Sequence, residues 1–293
     1  MTGLRAALRR RWYGFQTLVG IAQRGVFIPY RHADGLPVAG RRDAYPAVTE
    51  RFVAAESDFA AVLDGLEDYA EDLVRIGESG PPAPRWDQDW FPTLDAAVAY
   101  GFVRRLAPRR IVEVGSGHST RFLMRAAADA DQPLTLTAID PAPRATLAPP
   151  PGVQLELLRG IVERLGLEPF AALTADDLLS VDSSHLLLPG SDVDVLLGRV
   201  LPALPIGITV HFHDVFLPDD YPESWRWRGY SEQLGLLPLI LSGGWQPLFA
   251  SHYVASRQAE LLTRAPLADL PQVEGAKPSS LWLRKIGPTV TAK

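Results

Sequence analysis

Residues 110–120, RIVEVGSGHST, join a short apolar run to the beginning of a helical pattern, and they decide the fold. The segment predicts a buried strand at Arg110–Val114, a turn that contains Gly115 and Gly117, and a helix at Thr120–Ala130. Glycines in such a turn let the backbone approach a ligand closely, and the N-terminus of the following helix favours a negative group. The segment therefore predicts a strand–turn–helix unit that binds a nucleotide-like ligand.

Short β-type runs alternate with helical stretches from Trp86 onward. This alternation predicts a Rossmann-like α/β fold with a mostly parallel seven-stranded sheet covered by helices on both faces. No helix is expected between the last two strands, which should form an antiparallel hairpin at the sheet edge. Strands are expected at residues 110–114, 134–139, 153–158, 178–181, 206–212, 245–254 and 281–285, and helices at 94–106, 120–130, 169–175, 192–204 and 225–241.

Residues 1–85 precede this pattern and are predicted to form an N-terminal helical extension. Apolar residues recur at helical spacing in residues 5–23 and again in 44–76. Residues 77–84, GESGPPAP, are rich in glycine and proline and are expected to link the extension to an α/β domain at 86–293.

The charge of the chain excludes some partners. The net charge is −5, but residues 1–31 contain six arginines and no acid, so the rest is strongly acidic. An acidic protein is a poor candidate for bulk nucleic-acid binding. The basic arm is expected to dock on the main domain, with contact to an anionic membrane surface as the alternative.

The sequence contains few signals for cellular location or oligomeric state. We find no apolar run long enough to span a membrane, expect no secretory signal, and find no cysteine, which together predict a cytoplasmic protein. The sequence leaves the oligomeric state open, with a homodimer as one option.

Two acidic residues distinguish the kind of ligand. Glu113 ends the first strand just before Gly115, and Asp140 follows the second strand, where a carboxylate can accept both ribose hydroxyls. Thr120 stands where the dinucleotide fingerprint expects glycine or alanine. A pyrophosphate is disfavoured beside Glu113, whereas the cationic S-adenosylmethionine is favoured. The alternative is that Glu113 accepts hydrogen bonds from loop amides and Asp140 caps a turn.

A second polar cluster follows the fourth and fifth strands. Asp182 and His185 close the fourth strand, and His213 and Asp214 close the fifth. Because parallel strands deliver their carboxyl ends to one crevice, these side chains should converge beside the first loop. They could hold a divalent metal, or a histidine could act as a general base. His211 is expected to lie deeper as a core residue.

An aromatic stretch follows the second cluster. Residues 216–222, FLPDDYP, are followed by Trp225, Trp227 and Tyr230. This proline-stiffened stretch is expected to form a lid or the acceptor-binding wall, or else to pack under an ordinary loop.

With these motifs in order, the chain resembles the class I S-adenosylmethionine-dependent methyltransferases. The pattern of one bacterial branch runs E-V-G-S-G-x-S-T, D-S-S-H, G-S-D-V and H-x-H-D-I/V-F-x-P-x-x-Y-P. Here these motifs are residues 113–120, 182–185, 190–193 and 211–222, and the resemblance covers residues 86–286, about two-thirds of the chain.

The resemblance implies a seven-stranded sheet whose last strand is antiparallel. It also implies that Asp140 binds the ribose, and that the methionine part is lined by Glu113, Gly115, Ser116, Gly117 and Ser119. In the related catechol-type O-methyltransferases the ends of the fourth and fifth strands bind magnesium. Asp182, His213 and Asp214 occupy those ligand positions, and His185 occupies that of a basic catalytic residue. Histidine here replaces an oxygen ligand at 213 and a lysine at 185.

The sequence therefore predicts an S-adenosylmethionine-dependent O-methyltransferase for a small hydroxylated acceptor, such as a sugar, a phenol or a secondary metabolite. His185 and His213 are the candidate catalytic residues. The candidate metal is Mg, Mn, Fe or Zn. Two alternatives remain: an NAD-dependent oxidoreductase, and a non-catalytic relative that binds S-adenosylmethionine.

Overall fold

A computed structural model describes residues 2–38 and 40–287 of the chain. By their internal contacts the residues divide into two units, Met1–Val38 and Ala39–Lys293. None of the helices in these described ranges is both long enough and apolar enough to cross a bilayer.

The first unit contains one long helix. α1 spans Thr2–Leu18 and is followed by a 3-10 turn at Ala33–Gly35. The sequence predicted a helix that continues to residue 23, but α1 ends earlier because Gly20 adopts φ +75°, a left-handed conformation that terminates helices. Within the unit, Trp12 and Phe15 stack with ring centroids 5.7 Å apart.

Within the described residues of the second unit, seven strands form one sheet in the order β3-β2-β1-β4-β5-β7-β6. β1 to β5 run parallel, and β7 pairs antiparallel with both β5 and β6. The predicted Rossmann-like sheet is thus confirmed. The strands are β1 Arg110–Val114, β2 Leu134–Ile139, β3 Val153–Leu158, β4 Leu178–Val181, β5 Thr209–Phe212, β6 Trp245–Ala250 and β7 Leu281–Lys285.

Helices surround this sheet. They are α2 Pro46–Val53, α3 Glu56–Asp64, α4 Ala70–Arg75, α5 Thr93–Leu106, α6 His118–Asp129, α7 Val162–Leu165, α8 Asp192–Val195, α9 Leu201–Ala203, α10 Glu232–Leu241 and α11 Ser251–Arg257. A π-helical turn, Leu196–Val200, joins α8 to α9. Single 3-10 segments lie at Glu67–Tyr69, Glu168–Phe170, Glu223–Arg228, Ala259–Thr263 and Leu267–Asp269.

Several elements differ from the prediction, and the strand expected at 245–254 ends at Ala250, because α11 begins at Ser251. The helix expected at 169–175 is only a 3-10 turn, because Asp177 accepts hydrogen bonds from the N–H and hydroxyl of Thr174 and closes a tight turn. The helix expected at 225–241 is interrupted at Gly229, which adopts φ +69°. The hairpin expected between β6 and β7 instead contains α11 and two 3-10 segments.

The core of the second unit runs through the sheet and the helices before it. The central strands β1, β4 and β5 are buried at nearly every position, which requires cover on both faces. Phe52 and Phe59 are fully buried, and Phe59 packs edge-on against Phe249 of β6 and Tyr253 of α11. The domain boundary at residue 85 stays a proposal, and the core includes residues on both sides of it.

We expect Phe59→Ala to lower the free energy of unfolding by about 3–5 kcal/mol, because it removes a buried ring and leaves a cavity. Urea denaturation measures this change. The control is Val53→Ala, which shortens an exposed side chain of α2 and should change stability by less than about 0.5 kcal/mol. Equal stability of the two variants would contradict a core shared by α3 and β6.

Candidate active site

The loop after β1 is packed tightly against the end of β4. Gly115 adopts φ +89°, and a Cβ at this position would lie 2.3 Å from the backbone oxygen of Asp182. The Gly115 N–H donates to Ile139 O at 2.9 Å, and the Asp182 N–H donates to Val114 O at 2.8 Å. Only glycine fits at 115, so the loop and the end of β4 are held at a fixed separation.

Glu113 holds this loop through hydrogen bonds to its side chains. Its buried carboxylate accepts hydrogen bonds from the hydroxyls of Ser119 at 2.6 Å and Thr120 at 2.5 Å. Thr120 in turn accepts the Gly117 N–H at 2.9 Å. Burial raises the pKa of Glu113 to about 7, against the two hydroxyl bonds. The alternative offered by the sequence was that Glu113 accepts hydrogen bonds from loop amides. The structure shows loop hydroxyls as its partners instead.

Asp140 joins the second strand to the same loop. One carboxylate oxygen accepts the Ala142 N–H at 2.8 Å, and the other accepts the Ser116 hydroxyl at 2.7 Å. The bond from the Ala142 N–H caps a turn, which is the role that the sequence offered for Asp140 as an alternative to ribose binding. The side chain is only partly buried and borders a cavity, so it remains accessible to a ligand.

Three cavities lie along this edge of the sheet, and all three are bordered by Arg144 and Asp182. The strand-end cavity, about 440 Å³, is lined by residues that include Gly115, Ser116, Asp140 and Ile161. The loop cavity, about 460 Å³, is lined by residues that include Ser116, Gly117, Ser119 and Arg121. The aromatic cavity, about 520 Å³, is lined by residues that include His185, His213, Asp214, Trp225, Trp227 and Tyr230.

His185 is held between carboxylates on opposite sides of its ring. Nδ1 lies 2.8 Å from Glu232 Oε2, and both side chains are buried. Nε2 lies 3.2 Å from Asp182 Oδ1 and 3.6 Å from Asp214 Oδ2. Ligand atoms of Asp182, His185 and Asp214 all lie within 4.8 Å of one another, so these three residues could hold a metal ion.

His213 lies near the same two aspartates. Its Nδ1 is 3.5 Å from Asp182 Oδ1 and 3.6 Å from Asp214 Oδ1. Its buried Nε2 has no hydrogen-bond partner among the described residues and lies 3.5 Å from Asp95 Oδ2. Asp95, on α5, accepts the backbone N–H of Ser279 at 2.9 Å. The group of possible metal ligands contains His185 and not His213. The metal-ligand role of His213 therefore stays a prediction.

The charges of the cluster favour protonated imidazoles or a bound cation. Burial alone would lower the pKa of His185, but Asp182 and Glu232 outweigh it and raise the pKa well above its usual value. The pKa of His213 is raised in the same way by Asp214 and Asp182. Burial would raise the pKa of Asp182, but its bonds to both histidines lower it. Carboxyl groups outnumber imidazoles here, so the cluster attracts positive charge.

Two of the cluster residues have a strained backbone. His185 adopts φ +59° and Asp214 adopts φ +58°, the left-handed region that non-glycine residues rarely occupy. The His185 carbonyl accepts the backbone N–H of Ser231 at 2.8 Å and of Glu232 at 3.1 Å, which holds this conformation. Strain of this kind persists where the surroundings over-determine it, typically at functional sites.

His211 occupies the core, as the sequence predicted. Its ring accepts or donates at 3.0 Å to Ser180 and at 2.8 Å to Ser280, and it stacks on Trp282. Burial lowers the pKa of His211 to about 3, so the ring is neutral and takes no part in the cluster.

The structure thus brings together Asp182, His185, His213 and Asp214, and it places Trp225, Trp227 and Tyr230 along the same cavity. It also adds residues that the sequence analysis missed, namely Asp95, Arg144, Arg228 and Glu232. An acid in the apolar stretch of α5 was a signal for Asp95, whereas Glu232 fell inside the helix expected at 225–241 and carried no such signal.

Comparisons with known proteins return structural similarity only. No protein-family model and no curated protein matches the chain. A DUF574 family protein from Streptomyces avermitilis is 13% identical, with 77% of this chain and 96% of that chain covered and a TM-score of 0.42. The branched-chain polyamine synthase from Thermus thermophilus is 14% identical, with 76% and 67% covered and a TM-score of 0.42.

A third similar structure is the SAH-bound methyltransferase PaMTH1 from Podospora anserina. It is 15% identical, with 89% of this chain and 99% of that chain covered and a TM-score of 0.35. The similar structures therefore include a methyltransferase, the class that the sequence motifs resemble.

We expect Gly115→Ala to be destabilised by at least about 2 kcal/mol, because its methyl group would meet the Asp182 carbonyl and its φ would be strained. Thermal and urea unfolding measure this loss. Gly117→Ala is the matched control, since a Cβ there meets no atom within 4 Å and the free protein should lose much less stability. Equal losses in both variants would contradict the tight contact at Gly115.

Proposed function

We propose that this chain is an S-adenosylmethionine-dependent O-methyltransferase that acts on a small hydroxylated acceptor. The observation that carries the proposal is that Asp182 and Arg144 border all three cavities. A ligand beside Asp140 and a second ligand beside His185 would meet at Asp182. A group can therefore be transferred between them without either ligand leaving its cavity.

The residues of the strand-end and loop cavities fit S-adenosylmethionine. Asp140 offers a carboxylate for the ribose hydroxyls, Ser116 lines both cavities, and Ser119 lines the loop cavity. Arg121 and Arg144 provide positive charge for the amino-acid carboxylate. The excess of carboxyl groups near Asp182 suits the sulfonium.

The same loop disfavours a dinucleotide. A pyrophosphate depends on free amides at the helix N-terminus, and the Gly117 amide is already donated to Thr120. Asp140 and Asp182 also border the strand-end cavity and would repel the phosphates. An NAD-dependent oxidoreductase is therefore the weaker alternative.

The donor set of the cluster fits a divalent metal. Asp182, Asp214 and one imidazole form a mixed oxygen and nitrogen set that suits Mn, Fe or Zn as well as Mg. The bond from His185 Nδ1 to Glu232 leaves Nε2 facing the aspartates, an arrangement typical of metal-binding histidines. A metal bound here would lower the pKa of the acceptor hydroxyl.

The chain itself aligns the two reactants. S-adenosylmethionine supplies the methyl group, which an acceptor oxygen takes by in-line displacement. Trp225, Trp227 and Tyr230 border the acceptor side and would shield a bound acceptor from water. Holding oxygen and methyl in line can be worth roughly 7–11 kcal/mol of the barrier. Without a metal, the neutral form of His185 or His213 would take the acceptor proton as a general base, typically worth roughly 10²–10⁴-fold. The raised pKa values make this neutral form the minor one near pH 7, which favours the metal.

Asp140→Ala should weaken binding of S-adenosylmethionine and S-adenosylhomocysteine at least tenfold, because each charge-assisted hydrogen bond to the ribose is worth roughly 1.5–3 kcal/mol. Isothermal titration calorimetry measures both affinities. The control, Asp176→Ala, removes an exposed carboxylate at the opposite end of the sheet and should bind normally. Unchanged affinity in folded Asp140→Ala would remove Asp140 from the site, and binding of NAD in place of S-adenosylmethionine would overturn the proposed cofactor.

The metal is tested without an acceptor. We expect one Mn²⁺ or Zn²⁺ per chain in equilibrium dialysis, and at least tenfold weaker binding in Asp182→Asn, Asp214→Asn and His185→Ala. His252→Ala is the control, because His252 forms a similar pair with Asp219 outside the cluster. Loss on His213→Ala rather than His185→Ala would make His213 the nitrogen ligand. Wild-type protein that binds no divalent ion would leave the general base as the mechanism.

A further inference from the structure

Positively charged side chains line the aromatic cavity. Methyl transfer to a neutral hydroxyl does not require them. Arg144, Arg228 and Lys277 all line this cavity. Within the described ranges, neither Arg144 nor Lys277 belongs to an ion pair with N and O atoms within 4.0 Å of each other. These cations therefore remain available to a ligand.

Arg228 is the most firmly held of the three. Its guanidinium carbon lies 3.9 Å from the ring centroid of Trp225, 5.5 Å from that of Trp227 and 5.3 Å from that of Tyr230. Nη1 donates to the Tyr230 hydroxyl at 2.9 Å. Three rings and a hydroxyl thus fix the guanidinium in one orientation, which reduces the entropy lost when it binds a ligand.

The hydrogen-bonding capacity of Arg228 is not used up by the protein. Among the described residues its Nη2 makes no hydrogen bond, and the side chain is 31% exposed, so this nitrogen is open to a ligand. Nη1 lies 3.7 Å from Asp214 Oδ2, too far for a hydrogen bond. A planar guanidinium with an unpaired nitrogen matches the oxygens of a carboxylate or phosphate.

The position of Arg228 also determines where a bound anion would lie relative to the acceptor hydroxyl. Because Arg228 lies beside Asp214, an anion bound to it would sit next to the cluster formed by Asp182, His185 and Asp214. Arg144, Arg228 and Lys277 match in number the carboxylates of Asp89, Asp182 and Asp214 that line the same cavity, so the lining as a whole does not exclude an anion.

We propose that the acceptor carries a carboxylate or phosphate group in addition to its hydroxyl, and that Arg228 binds this group. The inference rests on the proposed function, because it defines the substrate class of the same site. The fixed guanidinium selects the anion, Lys277 adds positive charge along the same cavity, and the aromatic walls cover the rest of the acceptor.

The test uses two pairs of compounds that differ in one anionic group. Catechol is compared with 3,4-dihydroxybenzoate, and glucose with glucose 6-phosphate. Dissociation constants are measured by calorimetry on the full chain with S-adenosylhomocysteine bound. We expect the anionic member of at least one pair to bind at least tenfold more tightly than its neutral partner. A preference in the catechol pair indicates a carboxylate, and a preference in the glucose pair indicates a phosphate.

Variants then assign the preference to Arg228. Arg228→Gln should reduce it to less than threefold, whereas Arg226→Gln, an exposed arginine on the same 3-10 segment, should keep it. A merely structural role of Arg228 would weaken both members of a pair equally, and that result would overturn the proposal. Equal affinities in the wild type, or no binding of any of the four compounds, would overturn it as well.

Binding of S-adenosylhomocysteine is measured first on the same protein. Failure of that step contradicts the proposed function, whatever the compound pairs do. Normal binding of S-adenosylhomocysteine without an anion preference contradicts only the inference about the acceptor.

Discussion

The site depends on the position of Asp182 at the end of β4. Its backbone oxygen is so close to Gly115 that no side chain fits between them, and its N–H donates to Val114 O. Its carboxylate lies 3.2 Å from His185 and 3.5 Å from His213. One residue therefore fixes the loop, the strand end and both imidazoles, and this is why three cavities meet at it.

Buried carboxylates hold the two histidines from behind. Glu232 bonds to His185, and Asp95 lies next to His213. Each imidazole is thus held between a buried acid and the aspartates that face the cavity. This support compensates for the left-handed backbone of His185, and it presents one ring nitrogen to a ligand in a defined direction.

The sequence predicted the sheet and the cluster because both follow from periodicity and from the geometry of parallel strands. Asp182 and His213 had to converge once β4 and β5 were placed as neighbours. Glu232 could not be predicted as a partner of His185, because Gly229 interrupts a helix that the sequence pattern made continuous. The surroundings of Arg228 could not be predicted either, since they depend on how three aromatic rings pack around one guanidinium. Such contacts are set by tertiary packing, which no local pattern encodes.

A crystal structure of the protein with S-adenosylmethionine bound tests the central claim most directly. We expect the ribose to bind to Asp140, the sulfonium to contact Asp182, and the methyl group to point into the aromatic cavity. A ligand that lies away from Asp182, or a methyl group that points away from His185 and Asp214, would contradict it.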